Sequence, residues 1–577
     1  MIKIKEKTEI IFIILFALIT LIMIVRAFYG IDITDESYYL AEGRTVLEGN
    51  LPYAFNNSRA VGMTIIMIPF IWFYRIIVQD YSGFFLYMRI SFILFKSIII
   101  LVSYLLLKRK IGMFCSSCIS LFMASYHMYS IQNFSYDTIS TLMIFLVGIL
   151  LFLLSDKESM ITHKNIGYIV SGFLSAIAVF AHPAHAMSVM LFLIFLLVFR
   201  TKSHFIILYI LGGTTQIVIL FMSIIVQCGR KKLFSGLLWY MKNMYGIEHP
   251  FATTVINNIL NEFSILWRTM FVFFILFFLI KMVVKKSNNI KNEVLNSLCF
   301  SLIIGLLYSL LKTNPQNTVA FIGACGAFVV LVLGLAFPLS KAFLFVGLPS
   351  LCFCILEAFM TNSSSAIGRF IHVVPAICSL YILYGEKNIR KSILNNSFRG
   401  RSIRQFFLPS LTIFLIILCE VNGLRYVYRD DDLKALTYRV TNGVFKGIYT
   451  SEQNAKDTME LEEYIKNITQ KDDYIAFRDN VPVGYLFMNG HICDIRTWDC
   501  MQYTYGMNDP AALYSYYERR EIIPDKIIYV DYGRDQALSI DKSDFLYNIF
   551  VKDNYTLESD IKFNDTYKRI MLFIKKQ

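Results

Sequence analysis

The chain has 577 residues, of which 56% are hydrophobic and 15% aromatic but only 17% charged, and its mean hydropathy is +0.54. This composition excludes a single water-soluble core, because apolar runs of about 18 or more residues, long enough to cross a bilayer as helices, recur along the chain. The net charge of +13 does not indicate nucleic-acid binding. Residues 425–577 carry 21 Lys and Arg against 25 Asp and Glu, so the basic excess lies in short loops between the earlier apolar runs, where it marks membrane topology.

The first apolar run, Ile10 to Tyr29, follows a short basic N-terminus that contains Lys3, Lys5 and Lys7. The run is too long for the hydrophobic part of a signal peptide and leads to no small-residue cleavage site, so we expect it to remain as the first span. Lysines that flank a first span favour the cytoplasmic side. The sequence therefore predicts a cytoplasmic N-terminus and an outer location for the loop after Tyr29.

That loop carries two adjacent carboxylates, Asp35 and Glu36, in the stretch Thr34 to Tyr53, which reads TDESYYLAEGRTVLEGNLPY. A pair of acids at a membrane boundary is what a general base and its support require at the mouth of a lipid-facing pocket. Acids also cap short interfacial helices, where they meet unpaired backbone N–H groups and the helix dipole. The local pattern leaves both interpretations open.

The next apolar stretches are Val61 to Val78 and Phe84 to Leu107, and the second ends in the basic triplet Lys108 to Lys110. If both stretches crossed the bilayer, the triplet would lie outside, against the positive-inside rule. We therefore predict that Val61 to Val78 lies along the interface or re-enters the membrane. About 13 spans follow, at approximately residues 9–29, 84–107, 112–131, 138–154, 166–181, 184–199, 204–227, 263–284, 295–311, 318–337, 342–360, 370–385 and 406–424.

The composition changes after the last of these spans. Strand candidates lie at Tyr474 to Phe477, Val483 to Phe487, Lys526 to Val530 and Arg569 to Ile574, with a helix-like run at Lys456 to Lys466. The sequence predicts a transmembrane part of residues 1–424 and an extracytoplasmic, soluble α/β domain of residues 425–577. We find no internal repeat.

Two further polar segments fall on the predicted outer face. In NFSYDTIS, Tyr136 and Asp137 open a span, where Asp137 either caps the helix or supplies a second outward carboxylate that orients a substrate or holds a divalent ion. One carboxylate does not specify a metal, so a cation stays open. His182 and His185 lie at the next outer turn, and a turn with polar side chains is favoured over a zinc site because no third ligand is evident.

Late in the chain, Thr361 to Phe370 reads TNSSSAIGRF. Arg369 would stand at the outer end of a span, where a guanidinium either binds a phosphate or extends to the lipid headgroups. The segment Arg230 to His249 mixes cationic and aromatic residues suited to lipid phosphate and sugar rings, although an amphipathic interfacial helix explains it better.

The cysteines divide into two groups. Cys115 and Cys118 have CxxC spacing without a further ligand pair, so buried thiols are favoured over a metal or redox site. Cys493 and Cys500 both fall in the part predicted to lie outside, where an oxidising compartment allows a disulfide.

Four of these segments together resemble the GT-C fold glycosyltransferases, the polytopic superfamily that includes protein O-mannosyltransferases and the lipid A aminoarabinose transferase. The acidic pair in ITDESYYLAEGRTVLEGNLPY resembles the family's first-loop acid, and NFSYDTISTLMIFLVGILLFL resembles the second-loop acid that opens a span. FFLYMRISFILFKSIIILVSYLLLKRKIG and GRFIHVVPAICSLYIL resemble an arginine-led span and a late arginine–proline segment. The proline-rich segment of the mannosyltransferases is replaced by SRAVGMTIIMIPF, and no signature names the donor sugar.

The resemblance implies a GT-C-like fold with interfacial helices in the first outer loop, and an inverting transfer of a sugar from a polyprenyl phosphate to an envelope glycan, lipid or protein at the outer face of the cell membrane. Asp35 would be the general base and Glu36 its support. Arg369 and Arg89 would stabilise the leaving lipid phosphate, and Asp137 beside Tyr136 would orient donor or acceptor. No cofactor is certain.

Two other classes of protein share this hydropathy profile. A transporter or flippase for lipid-linked sugars would more naturally show repeated halves or broken helices at corresponding positions. A non-catalytic membrane scaffold with a sensing ectodomain would not need acids aligned on one face.

Overall fold

The fold is that of a computed structural model. It describes residues 2–55, 61–78, 80–127, 132–156, 163–244, 340–353, 374–385, 412–417, 419–421, 423, 427–478, 481–494, 497, 510–532, 554–564 and 566–576. Predicted spans 263–284, 295–311 and 318–337, Arg369, Cys500 and the domain boundary at residues 424 and 425 lie outside the described residues. The number of spans, the boundary and the Cys493–Cys500 disulfide therefore remain predictions.

Most of the described chain before residue 424 is helical, as the apolar runs predict. The helices are α1 (Ile2–Ala27), α2 (Asp35–Leu47), α3 (Val61–Ile77), α4 (Phe84–Ile111), α5 (Met113–Ser125), α6 (Tyr136–Leu154), α7 (Lys164–Ala181), α8 (His185–Val198), α9 (Ser203–Cys228), α10 (Arg230–Met244), α11 (Phe343–Phe353), α12 (Val374–Gly385) and α13 (Thr412–Val421). Within the described residues, five helices are long and apolar enough to cross a bilayer: the Glu6–Ala27 part of α1, and α4, α6, α7 and α9. A multi-pass membrane protein follows.

Helix α6 is the centre of the bundle. Its sequence is apolar on every side, and all of its residues from Asp137 to Leu154 are buried. A helix that is apolar all round needs neighbours on all sides, and α6 packs against α4, α7 and α11. Helices α1 and α9 instead expose apolar side chains such as Ile14 and Val226, as helices that face lipid do.

Helices α7 and α9 approach each other closely through glycines. A Cβ atom on Gly172 would lie 1.8 Å from the carbonyl oxygen of Tyr209, and one on Gly212 would lie 2.0 Å from that of Ile169. Small residues at such crossings let two backbones come into direct contact inside a membrane.

Helix α3 begins and ends on the same side of the bundle. Its first turn lies against the end of α7, since Gly62 contacts the backbone of Ile177 and Ala181. At its other end, the Tyr74 hydroxyl donates to the carbonyl of Ser82, which lies just before α4. The next residue, Gly83, donates its N–H to the carbonyl of Gly443 at 2.9 Å. This is what the prediction of interfacial helices in the first outer loop requires, and their place at the bilayer surface stays a prediction.

The described elements of the C-terminal part are β1 (Tyr438–Arg439), β2 (Tyr449–Thr450), α14 (Glu452–Ile468), β3 (Tyr474–Arg478), α15 (Gly484–Phe487), β4 (His491–Ile492), α16 (Pro510–Arg520), β5 (Lys526–Tyr532), β6 (Tyr555–Lys562) and β7 (Tyr567–Lys575). Within the described residues, five of these strands form one sheet with the order β4-β3-β5-β7-β6. Strands β3 and β4 are parallel, as are β3 and β5, whereas β7 pairs antiparallel with β5 and β6.

This confirms an α/β arrangement at the C-terminus, and three of the four predicted strands are present. The strand predicted at Val483 to Phe487 is wrong, because Gly484 to Phe487 form the short helix α15. Its apolar run indicates burial rather than strand, and Gly484 to Phe487 are indeed buried.

The C-terminal part docks on the first loop through polar contacts to α2. The Arg44 guanidinium donates to the carbonyls of Tyr485 and Gly490, at 2.6 and 2.8 Å. The Glu42 carboxylate accepts from the backbone N–H and the hydroxyl of Thr497, at 2.9 and 2.7 Å. Helix α2 thus lies between the membrane helices and the sheet.

Candidate active site

The acidic loop is organised by a residue that the sequence analysis did not single out, Asp32. Its Oδ1 accepts from the backbone N–H and hydroxyl of Thr34, at 2.9 and 2.7 Å, and its Oδ2 accepts from the N–H of Glu36 at 2.9 Å. Asp32 therefore caps the N-terminus of α2. Burial, together with the charges of Asp35 and Glu36, raises the pKa of Asp32 to about 7.

Glu36 is buried, and both of its carboxylate oxygens accept hydrogen bonds. The Arg89 guanidinium donates from Nε to Oε1 at 2.7 Å and from Nη2 to Oε2 at 2.5 Å, and Asn133 donates to Oε1 at 3.0 Å. Only 2% of the Glu36 side chain and 7% of the Arg89 side chain are exposed. Glu36 thus joins α2 to α4 and to the loop before α6, which is more than a helix cap does.

The Arg89 guanidinium donates to backbone carbonyls as well as to Glu36. Its Nη1 donates to the carbonyl of Ala27 at 2.9 Å, and its Nη2 donates to that of Gly30 at 2.9 Å as well as to Glu36. These bonds fix the loop that carries the acids. The prediction that Arg89 binds the leaving phosphate is not tested by these contacts and stays a prediction.

Asp35 differs from its neighbour in exposure. The Tyr428 hydroxyl donates to its Oδ2, and the Arg429 guanidinium lies 3.4 Å from the same oxygen. Its Oδ1 accepts no hydrogen bond from any residue that the structure describes, and 23% of the side chain is exposed. Tyr428 and Arg429 thus hold one oxygen of a carboxylate whose side chain stays partly exposed.

The charges of Asp35 and Asp137 both influence one buried phenol, that of Tyr39 in α2. Burial, with Tyr136, Asp35 and Asp137 nearby, raises the pKa of Tyr39 well above its ordinary value. The rings of Tyr39 and Tyr136 lie edge to face, with centroids 5.7 Å apart. The structure thus brings Asp35, Tyr136 and Asp137 to one region, although they come from two separate loops.

Asp137 does not cap α6. The N-cap is Ser135, whose hydroxyl accepts from the N–H of Thr138 at 3.1 Å, while the Thr138 hydroxyl accepts from the N–H of Ser135 at 3.0 Å. This reciprocal arrangement is a capping box. Because Ser135 and Thr138 provide the cap, the capping interpretation of Asp137 is wrong.

His182 and His185, at the turn between α7 and α8, extend the ring contacts that begin with Tyr39 and Tyr136. The rings of Tyr136 and His182 have centroids 5.6 Å apart, and His185 stacks on Phe353 of α11 at 3.8 Å. Within the described residues, no three His, Cys, Asp or Glu side chains gather in a way that could hold a metal ion.

Helix α10 has one buried and one exposed apolar side. Leu233 and Trp239 are buried, and the Trp239 indole donates to the hydroxyl of Ser515 at 2.7 Å. Phe234, Leu238 and Met241 are exposed at helical spacing. This is the pattern of an interfacial helix, as the sequence favoured.

No family model matches the chain, and no curated protein matches it in sequence. Among solved structures, it is similar to the archaeal oligosaccharyltransferase AglB from Archaeoglobus fulgidus in complex with an inhibitory peptide and a dolichol-phosphate. That match has 9% identity and a TM-score of 0.42, and it covers 90% of this chain and 69% of AglB. The chain is also similar to ArnT from Cupriavidus metallidurans bound to undecaprenyl phosphate, with 11% identity, a TM-score of 0.39 and 97% of each chain covered.

The bound peptide and lipids belong to those two proteins. The roles of the residues in this chain rest on its own contacts.

Sequence reasoning missed three residues that contact the first loop, namely Tyr428, Arg429 and Asp430. Their signal is a dense run of charges, RDDD at residues 429–432, directly after the last predicted span. Such a run normally indicates a solvated linker. Asn133 was also missed, because a single amide before a helix is common in caps and turns.

Proposed function

We propose that the protein is a membrane glycosyltransferase that moves a sugar from a polyprenyl-phosphate donor to a nucleophile on the acceptor, with inversion at the anomeric carbon. The observation that carries this proposal is the difference between two adjacent acids. Glu36 is buried and bound by Arg89, whereas the Asp35 side chain is 23% exposed and its Oδ1 accepts no hydrogen bond from a residue that the structure describes. A general base needs such an oxygen, and a rigid neighbour to place it.

In the proposed reaction, Oδ1 of Asp35 takes the proton from an acceptor hydroxyl while the acceptor oxygen attacks the anomeric carbon. The bond between that carbon and the phosphate oxygen breaks, and the lipid phosphate leaves with the electron pair. Base catalysis of this kind typically contributes about 10²- to 10⁴-fold in rate. Asp35 is proposed as the catalytic base, and Glu36 as the residue that positions it.

The other residues take supporting roles in this proposal. Asp137 and Tyr136 orient donor or acceptor, since the Tyr136 ring packs against the Tyr39 phenol and the charges of Asp137 and Asp35 both raise the pKa of that phenol. Arg369 stabilises the charge on the leaving phosphate, as a guanidinium at a membrane boundary suits. Arg89 also has a positioning role, because its hydrogen bonds hold Glu36 and the loop carbonyls.

We propose further that the reacting face is the outer face of the cell membrane, with the acceptor an envelope glycan, lipid or protein. Support comes from the N-terminal lysines and the basic loops, and from the docking of the C-terminal part on the same face as α2. In intact cells, a membrane-impermeant thiol reagent should label Lys434→Cys and should not label Ser155→Cys. Labelling of the second variant alone would invert the topology.

The function is tested with purified protein in liposomes that contain polyprenyl-phosphate sugars labelled in the sugar. Mass spectrometry of envelope glycans from cells with and without the protein first identifies the missing sugar and acceptor. Transfer then appears as loss of label from the lipid and gain on the acceptor. Label that crosses the membrane while still bound to lipid would indicate a flippase instead. Loss of transfer with EDTA, restored by Mg²⁺ or Mn²⁺, would establish a cation requirement.

A further inference from the structure

Three consecutive residues after the last predicted span contact three parts of the first loop. We name Tyr428, Arg429 and Asp430 the strap. The Tyr428 hydroxyl donates to Oδ2 of Asp35, and the Arg429 guanidinium donates to the hydroxyl of Thr34. The strap thus reaches the proposed base from a position 393 residues later in the chain.

The third strap residue fixes the segment in place. Oδ2 of Asp430 accepts from the backbone N–H of Ile31 at 2.6 Å and from the hydroxyl of Thr450 at 2.7 Å, and Oδ1 accepts from the amide of Asn454 at 2.7 Å. Beside it, the N–H of Gly30 donates to the carbonyl of Tyr449 at 2.8 Å. The strap is therefore held both to the loop and to the C-terminal part.

The backbone of Arg429 is in the left-handed region, with φ of 58°. A residue with a Cβ atom rarely adopts this conformation, and it persists where surrounding contacts impose it. Here the conformation accompanies a guanidinium that contacts both Thr34 and Asp35 and that is 33% exposed. The arrangement is a built contact and not a loose surface pair.

The surroundings of Asp35 make this contact important. Within the described residues, the charged and titratable groups around it include Asp32, Glu36 and Tyr39 on the loop and α2, Arg89 on α4, Tyr136 and Asp137 on α6, and Tyr428, Arg429 and Asp430 on the strap. Four of these are carboxylates, and a like charge disfavours an ionised acid. Arg429 is the cation of this set that touches Asp35.

We propose that Tyr428 and Arg429 are positioning residues, which hold Oδ2 of Asp35 so that Oδ1 is presented to the acceptor as an ionised base. The segment after the last span then completes the candidate active site. This inference rests on the proposed function. It assigns Arg429 to the base and not to the phosphate of the donor, because its guanidinium contacts Asp35 and Thr34.

The test compares Tyr428→Phe and Arg429→Gln with two matched controls, Tyr438→Phe and Arg439→Gln. The control pair repeats the same two residue types ten positions later, on β1, where Arg439 is exposed. All four variants are purified and reconstituted, and their thermal unfolding midpoints are compared with that of the wild type. Transfer rates are then measured across pH and donor concentration.

Tyr428→Phe removes a hydrogen-bond donor to Asp35, and Arg429→Gln removes the cation beside it. Both changes disfavour the ionised form of the Asp35 carboxylate. We expect kcat to fall about tenfold or more in both strap variants, within the range that a general base contributes. The pH profile of kcat should move to higher pH in both strap variants, while KM for the sugar donor stays unchanged. Arg429→Lys should restore much of the pH profile because it keeps the charge. Both controls should behave as wild type.

A rise in KM for the donor with an unchanged pH profile would overturn the inference, since it would make Arg429 a phosphate ligand. Unchanged kinetics in both strap variants would overturn it as well. If wild-type protein transfers sugar and Asp35→Asn does not, such results refute the strap alone. If the wild type transfers no sugar, the proposed function fails first.

Discussion

The Arg89 guanidinium contacts both oxygens of the Glu36 carboxylate, with N···O distances of 2.7 and 2.5 Å, in a region from which water is nearly excluded. Removing one partner of such a pair leaves a buried charge without compensation, which typically costs about 3–5 kcal/mol. The pair joins α2 to α4 next to the proposed base, so its loss should affect both stability and activity.

Glu36→Gln should therefore lower the thermal unfolding midpoint in detergent and should reduce transfer, although Asp35 is unchanged. The control is Glu9→Gln, because the Lys108–Glu9 pair is 27% and 38% exposed and such pairs contribute roughly 0–1 kcal/mol. Equal midpoints for the two variants would show that Arg89 does not depend on Glu36 for its charge balance.

Arg44 is expected to hold the C-terminal part against α2. Arg44→Gln removes a cation that donates to the carbonyls of Tyr485 and Gly490, and hydrogen bonds to charged groups contribute about 1.5–3 kcal/mol. Hydrogen exchange should become faster in residues 484–492 of this variant. Arg75→Gln, at an exposed position near the end of α3, should leave that exchange unchanged. Slow exchange in both variants would mean that other contacts suffice for docking.

How far the sequence predicts the site depends on the distance between partners along the chain. The acidic pair, the polar opening of α6 and the α/β C-terminus follow from local composition, hydropathy and charge. The partners of those acids do not, because Arg89 and Tyr428 reach Glu36 and Asp35 from distant segments, and one sequence carries no signal for such pairing. The capping roles of Asp32 and Ser135 were missed because several neighbouring polar residues fit a cap equally well.

Asp32 makes stability depend on pH in an unusual direction. Its pKa in the folded protein is about 7, above the ordinary value of about 3.8, so the folded state binds this proton more tightly. The free energy of unfolding from this group is therefore greatest below about pH 4 and declines as pH rises through 7. Asp32→Asn should flatten the dependence of the unfolding midpoint between about pH 4 and 7. A slope equal to that of the wild type would assign the effect to another group.

The crossing of α7 and α9 is expected to tolerate no added methyl group at Gly172. In Gly172→Ala the new Cβ would meet the Tyr209 carbonyl, which forces the helices apart, and overpacking typically costs about 1–3 kcal/mol. The neighbouring Gly213→Ala places its Cβ 3.4 Å from the nearest atom, an ordinary contact. Thermal unfolding should separate the two variants. A similar midpoint for both would indicate that the crossing is looser than described.

The most direct test of the account is the transfer rate of Asp35→Asn, measured beside Asp80→Asn, an exposed acid at the far end of the same loop. With polyprenyl-phosphate sugar as donor and equal amounts of folded protein, Asp35→Asn should lose roughly 10²- to 10⁴-fold in kcat, as loss of a general base predicts, whereas Asp80→Asn should retain wild-type activity. Transfer by Asp35→Asn at the wild-type rate would contradict the assignment of Asp35 as the base.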